Sequence, residues 1–428
     1  MVVLLLLFLI VITFLFLRYD DTVVVLAPLT CFMSMFVVPF VSLDTVCLFD
    51  LVVLAIIGLF AIKGRLKLVY KCPFLICFVV MGFSYFISNA FGIEKHWVMS
   101  IAKLLTTYGF PIVLWFSIDG KKRVDLYLRS LIIFTFLLVI YALFELISNS
   151  NPIIVNGLKS HIFMNHVWPG EDIRFGVRRL QSFLPLYGSL GYTCGSVFLI
   201  LLYLRFNYPS TIKISDYALF PLLGVLVLCL LFTGTRSVYL SFVIGLMVFY
   251  KKVQKYLAYA LILVPVALLL LSMSSFIMDI VGSLTDTQNV EGSNSEMREE
   301  QLVISLVYWL QNPIFGNGPT YTFTTVKEAD AGIQGAESIW FILMIEYGVI
   351  GCIAFLTTII ASIYYLYKNK MTPLIFLVLM FFVNKSLSSV PGISEGFFLL
   401  YIVFLVRVEL LRRRDILTKL VLRKVSNG

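Results

Sequence analysis

Long apolar stretches alternate with short polar breaks along most of this chain, and the alternation lapses in two places. A helix needs roughly 17–25 apolar residues to cross the hydrocarbon core of a bilayer. Runs close to that length occupy residues 2–17, 22–43, 45–62, 73–92, 97–117, 126–147, 186–205, 215–232, 235–250, 256–275, 338–366, 371–389 and 395–411. They are continuously apolar rather than alternating, which selects helices over barrel strands. The first run, Val2–Leu17, lacks a basic leader and a small-residue cleavage site, so it reads as a span rather than a signal peptide. The expectation is an all-α, polytopic transmembrane helix bundle of about 12–13 spans. No repeat and no linker divides residues 1–428, so they read as a single integral membrane domain.

The two lapses are residues 148–185 and 276–337. Charge decides where they lie. Lys63, Arg65, Lys67 and Lys71 share one break, and Lys121, Lys122 and Arg123 another. Arg205 with Lys213, Lys251 with Lys252 and Lys255, Lys368 with Lys370, and the tail Arg412–Arg414, Lys419, Arg423 and Lys424 complete the set. Alternating spans put all of these on one side, and retention of positive residues makes that side the cytoplasm. Both long loops then fall on the outer face. The larger one is acidic, and within it residues 297–311 carry apolar positions at helical spacing up to Asn312-Pro313, which predicts an amphipathic helix at the membrane surface.

Composition narrows the function classes. Hydrophobic residues make up 60% of the chain and charged ones 13%, which no soluble domain of this length shows. The net charge of +9 reads as cytoplasmic retention rather than a nucleic-acid surface. Cys31, Cys47, Cys72, Cys77, Cys194, Cys229 and Cys352 lie in or beside apolar runs without metal spacing and read as small hydrophobes. A nucleotide-binding glycine loop, a His-Glu-x-x-His site and an Asp-x-Asp pair are all absent from the sequence.

The residues that can carry chemistry cluster at the outer face. Arg174, Arg178 and Arg179 fall within six positions just before an apolar run. Their planar forks suit phosphate or carboxylate, the other reading being interfacial anchoring. Arg236 follows Thr233-Gly234-Thr235 in a turn so short that it must sit at the membrane boundary, facing an anion or snorkelling outward. Glu337 closes the large loop. A carboxylate at an apolar lip can act as a general base, or it can be an acid complementing the helix that starts there. His161 and His166 lie in the smaller loop, where they are solvated or touch substrate. The mid-span charges a transporter would use are few: Lys103, Glu145 and Lys385.

In order, the chain presents Arg179 followed by LQSFLPLYGSLG, then Thr233-Gly234-Thr235-Arg236-Ser237. A loop follows with Arg298, Trp309 and Asn312-Pro313-Ile314-Phe315-Gly316-Asn317-Gly318. It ends in Glu337-Ser338-Ile339-Trp340, and the next helix reads Glu346-Tyr347-Gly348-Val349-Ile350-Gly351. Over roughly residues 170–355 this resembles the O-antigen polymerase and ligase superfamily of bacterial polysaccharide assembly. The resemblance implies a GT-C-like enzyme of the bacterial inner membrane, working at its periplasmic face on undecaprenyl-pyrophosphate-linked glycans as donor and acceptor, with no metal or cofactor. It implies that Arg179 and Arg236, with Glu337, form the catalytic group, Arg179 and Arg236 facing the donor pyrophosphate. Arg178, Arg174, Arg298 and His166 are the substrate-binding candidates. The ligase branch typically carries histidine where Glu337 stands, so the resemblance favours a polymerase of oligosaccharide repeat units. The alternatives are a ligase delivering glycan to lipid A–core or protein, and a polysaccharide transporter or flippase. Similar polymerases generally work with a chain-length regulator.

Overall fold

The computed structural model describes residues 2–36, 47–161, 167, 169, 172–174, 177–209, 215–249, 295–333, 337–388 and 394–426. The expected span at 256–275 and His166 lie outside them. In chain order the main helices are α1 (Val2–Leu17), α2 (Tyr19–Leu26), α3 (Leu48–Ile62), α4 (Leu75–Phe91) and α5 (Trp97–Ser117). Then come α6 (Lys121–Ser148), α7 (Pro152–Lys159), α8 (Tyr187–Asn207), α9 (Asp216–Phe232) and α10 (Arg236–Phe249). After the undescribed stretch follow α11 (Ser295–Trp309), α12 (Ile339–Lys368), α13 (Thr372–Leu387) and α14 (Ser394–Ser426). A two-residue antiparallel hairpin, β1 (Ile173–Arg174) and β2 (Val177–Arg178), is the one departure from helix among the described regular elements.

The apolar runs become helices, as continuous apolarity requires, but not thirteen uniform spans. Among the described residues, α5, α6, α8 and α12 are each long and apolar enough to cross a membrane. The short turn Arg65–Lys71 with α4 makes a fifth if that sharply bent pair is one span. Helices α3, α9, α10 and α13 are apolar but shorter. The run expected at 22–43 does not form one helix. Among the described residues the α-helix stops at Leu26, tightens into a short turn containing Pro28 and resumes for Thr30–Met33, while residues 37–43 lie outside those described. Proline has no N–H to continue the ladder and crowds the preceding turn. The bundle packs through close aromatic and aliphatic contacts, among them Tyr127 stacked on Phe404 at 3.9 Å and Phe381 on Phe398 at 4.3 Å. With lipid outside, such van der Waals fit rather than exclusion of water holds helices together.

Ion pairs mark one end of the bundle. Asp20 receives Arg65 at 2.5 and 2.9 Å and Arg123 at 3.3 Å, and Arg123 also reaches Asp21 and Asp119. Arg407 donates to the Ile118 carbonyl, Arg413 to that of Asn369, and Arg412 lies over Tyr208. The basic breaks of the sequence are therefore gathered at a common end, with α1 running into it at Arg18. Arg178 and Arg179 ahead of α8, Arg236 at the start of α10, Arg298 in the first turns of α11 and Glu337 just ahead of α12 sit at the opposite end.

At that opposite end the chain makes a backbone lock. Helix α12 widens into a π turn at Leu343–Tyr347, and the Gly348 backbone then turns to positive φ. In an unbroken helix the N–H groups of Val349 and Ile350 would bond Ile345 and Glu346. Here they donate to the carbonyls of Pro313 (2.9 Å) and Ile314 (3.3 Å). The freed carbonyls of Ile345 and Glu346 accept the N–H groups of Asn317 (2.8 Å) and Gly318 (3.1 Å). Two helical bonds are exchanged for four between loop and helix. The Asn317 amide adds a bond to the Tyr308 carbonyl, Asn317 O accepts Glu94 N, and Ser88 Oγ donates to Glu346 O.

The lock explains two glycines. Gly348 has φ 60°, and a Cβ there would come within 2.5 Å of the Ile314 carbonyl. Gly316 has φ 75°, and its Cβ would run into the Glu346 peptide. We expect Gly348→Ala to cost about 1–3 kcal/mol, the usual scale for a strained backbone position. Thermal unfolding of the detergent-solubilised protein should show a lowered midpoint. Gly224→Ala, where nothing lies within 4 Å, should leave it unchanged or raised.

Candidate functional site

The smaller polar loop is seated on a buried carboxylate. Glu145 ends α6 with no exposed surface. Its Oε2 accepts the backbone N–H of Gln181 (3.0 Å) and Ser182 (2.6 Å), and Oε1 accepts the Asn151 amide (2.9 Å). A buried charge is tolerable only when fixed donors replace water, and this one has three. Asn151 also caps α7, its side chain accepting from Ile154 N ahead of Pro152 at the first helical turn. Arg178 lies beside the same carboxylate, its Nε 3.8 Å from Oε1, and donates through Nη1 to the Asn149 carbonyl. Glu145, a mid-span candidate by sequence, is thus the anchor of the smaller polar loop.

Arg179 ties that loop to the next turn. Its Nε donates to the Thr233 carbonyl (2.8 Å), Nη1 to Asp172 (2.8 Å) and Nη2 to the Thr235 hydroxyl (3.0 Å). The Tyr187 ring lies under the guanidinium at 3.7 Å, and its hydroxyl donates to the same Asp172 oxygen. Leu180 N donates to the Phe232 carbonyl, completing the seam between the loop and the end of α9. Every nitrogen of this guanidinium is bonded inside the protein.

Arg236 opens α10 directly after that turn, half-buried, within electrostatic range of Arg298, Glu337 and Arg179. Arg298, in the first turns of α11, donates Nε to Glu337 Oε2 at 2.9 Å and Nη2 to the Leu387 carbonyl at 3.4 Å. Gln301 Oε1 accepts Glu337 N, and Ser338 caps α12 by accepting from Trp340 N. The cap therefore belongs to Ser338, while the Glu337 carboxylate is turned to Arg298. This pair is open to solvent, with 45% and 25% of the two side chains exposed. An exposed pair of that kind is held by no more than about 1 kcal/mol and opens readily.

The structure thus brings Arg179, Arg236, Arg298 and Glu337 to one rim, with Arg178 just behind on Glu145. Arg174 lies in β1, paired with Val177 in the adjacent hairpin, and His166 lies outside the described residues. Sequence reasoning passed over Asp172, Tyr187 and Gln301, and read only a mid-span charge in Glu145. A signal existed for the first, an acid seven positions ahead of Arg179, and for the last, a lone carboxylate at the end of an apolar run.

A second contact fastens the large loop. Glu94, between α4 and α5, accepts the hydroxyls of Thr324 and Thr325 at 2.7 Å each, and His96 lies 3.3 Å away. Partial burial pushes its pKa up, but these hydrogen bonds outweigh that and hold it below the ordinary carboxylate value. A depressed carboxylate stabilises the fold above its unfolded pKa of about 4.3 and loses that contribution as pH falls through the lower folded value. Acidification below about pH 4 should release residues 318–326 to protease. Glu94→Gln should flatten that acid dependence, which limited proteolysis across pH would read. For Arg179, both the Ala and Lys variants should loosen residues 172–182 and lower the unfolding midpoint, because one ammonium cannot serve three directions. Arg236→Ala should leave both measurements near those of the parent protein.

Residues 221–356 match the model of a family described as O-antigen ligase. The match runs from Pro221 inside α9 to Leu356 inside α12, so it takes in Arg236, α11, Glu337 and the lock, and leaves out Arg178 and Arg179. No curated protein matches the chain. Over residues 221–356, which reach from the end of α9 across the rim to α12, the chain is thus similar to the O-antigen ligase family, whose members are membrane enzymes that transfer glycosyl groups.

Proposed function

We propose that the protein polymerises undecaprenyl-pyrophosphate-linked oligosaccharide repeat units at the outer face of the bacterial inner membrane. The observation that carries this reading is the solvent-open group Arg236, Arg298 and Glu337 at the rim opposite the basic end. On the positive-inside rule the basic end is cytoplasmic and the rim faces outward. In this reading the hydroxyl oxygen of one lipid-linked unit attacks the anomeric carbon of the growing chain. The bond from that carbon to the lipid pyrophosphate breaks, and the leaving group departs with its electron pair. Arg236 and Arg298 stabilise the charge gathering on it, while Arg179 holds the turn that presents Arg236. When the pyrophosphate takes Arg298, the Glu337 carboxylate gives up that ion pair and can accept the hydroxyl proton. Two membrane-anchored substrates already share a plane, which lowers the cost of bringing them together. A chain-length regulator belongs to this reading as a partner.

Delivery of finished glycan to lipid A–core or protein is the second reading, favoured by the description of the matching family. Glu337 at a position where the ligase branch typically carries histidine supports polymerisation instead. Arg236→Ala and Arg298→Ala should each reduce chain extension about 10²-fold or more, and Glu337→Gln should also lower it, with the protein still in the membrane. A normal ladder of glycan lengths from the Arg236 and Arg298 variants would overturn the pyrophosphate role. The products separate the two readings. Loss of a polymerase leaves single repeat units on the final acceptor, and loss of a ligase leaves lipid-linked polymer unattached.

A further inference from the structure

Helix α11 is amphipathic in the reverse of the sense a water-exposed helix requires. Its inward face carries Gln301 and Ser305, both fully buried. Gln301 bonds the Gly332 carbonyl and Glu337 N, and Ser305 Oγ returns to Gln301 O. Its outward face carries Leu302, Val303, Leu306, Val307 and Leu310, with Val307 56% and Leu310 67% exposed. These positions fall within one stripe of a 3.6-residue helix. In water, hiding the amide and hydroxyl while showing five large aliphatic side chains is the unfavourable arrangement. A solvated loop helix would present the opposite pattern.

We propose that the outward stripe of α11 is in contact with the acyl chains of the bilayer, so that α11 is an interfacial membrane helix whose polar side forms a wall of the rim site. Two observations select lipid. Past the polar turn Gln311-Asn312, exposed Ile314 leads to the exposed aliphatic positions Val349, Ile353 and Ile360 of α12, a helix long and apolar enough to cross a membrane. The join is fixed by the lock, in which Ile350 N bonds Ile314 O. The polar end of α11 is its first turn, where Arg298, Glu299 and Glu300 are exposed. That places charge at one end and an aliphatic face along the rest, as expected of a helix partly immersed at the headgroup boundary. Under the transfer reading above, Arg298 would then meet a lipid-linked pyrophosphate at headgroup level. The experiment below does not depend on that reading.

The test uses the full chain in lipid nanodiscs with Cys31→Ala and Cys352→Ala, since Cys47, Cys72, Cys77, Cys194 and Cys229 are buried. Val303→Cys, Val307→Cys and Glu328→Cys are each labelled with an environment-sensitive fluorophore and quenched by spin-labelled lipid. The expected result is strong loss of fluorescence at Val303 and Val307 with the quencher near the headgroup, because an interfacial helix lies roughly 5–10 Å into that boundary. The label at Glu328, exposed beyond α11, should be quenched little. Labels at Val303 and Val307 quenched no more than that at Glu328 would overturn the proposal. So would their becoming lipid-accessible only when nanodiscs hold a single copy, or their crosslinking to residues 256–275, since protein would then cover the stripe.

Discussion

A helix in a bilayer can be broken only if something else satisfies its backbone, and that constraint organises the half of this protein away from its basic end. The break at Leu343–Gly348 frees two carbonyls and two N–H groups of α12, and residues 313–318 bond all four. The geometry forces peptide against peptide, which leaves no volume for a side chain at Gly316 or Gly348. The exchange joins distant parts of the site. Helix α11 runs directly into the lock and the segment bearing Glu337 leads out of it, so the Arg298–Glu337 pair is set by bonds more than a helical turn away. Ser88 and Glu94 attach α4 and its following loop to the same point, and the Phe91 ring stacks on Phe315 at 4.7 Å.

The arginines of the rim divide by how their charge is satisfied. Arg178 and Arg179 are bonded to carbonyls, carboxylates and a ring, and a guanidinium so engaged in partial burial is costly to disturb. Arg298 is exposed and paired with the partly exposed Glu337 carboxylate, which an anionic ligand can displace at small cost. Three arginines that look equivalent in sequence thus differ in availability. The difference comes from neighbours that the linear chain places far off: Glu145 lies 33 residues before Arg178, and Thr233 lies 54 residues after Arg179.

Much of the bundle was legible because lipid imposes one rule on long segments, and apolar runs ending in basic residues obey it. Pro28 was legible too, but its effect on the run at 22–43 depended on competition between the run and the proline. The Gly-Asn-Gly turn showed only that the backbone bends there. Its purpose lies in hydrogen bonds to residues about thirty positions away, which no local pattern encodes. Glu337 was read at an apolar lip as base or helix acid, and neither reading included Arg298, which takes the carboxylate while Ser338 takes the cap.

Helix α11 marks the limit of periodicity as a guide. Spacing establishes that one face is apolar and the other polar, and the same spacing serves a helix with its apolar side inward or outward. Only the burial of Gln301 and Ser305 decides between them, and it decides for outward. Polar groups facing the site and aliphatic groups facing away are what a catalytic wall at a membrane edge requires. The wall must offer hydrogen bonds to what lies inside while matching the acyl chains behind it. The lock supplies the rest of the condition: beyond the apolar contacts of Ile304 and Tyr308 with the cluster around Ile342 and Ile345, backbone bonds at Pro313–Gly318 fix the end of α11.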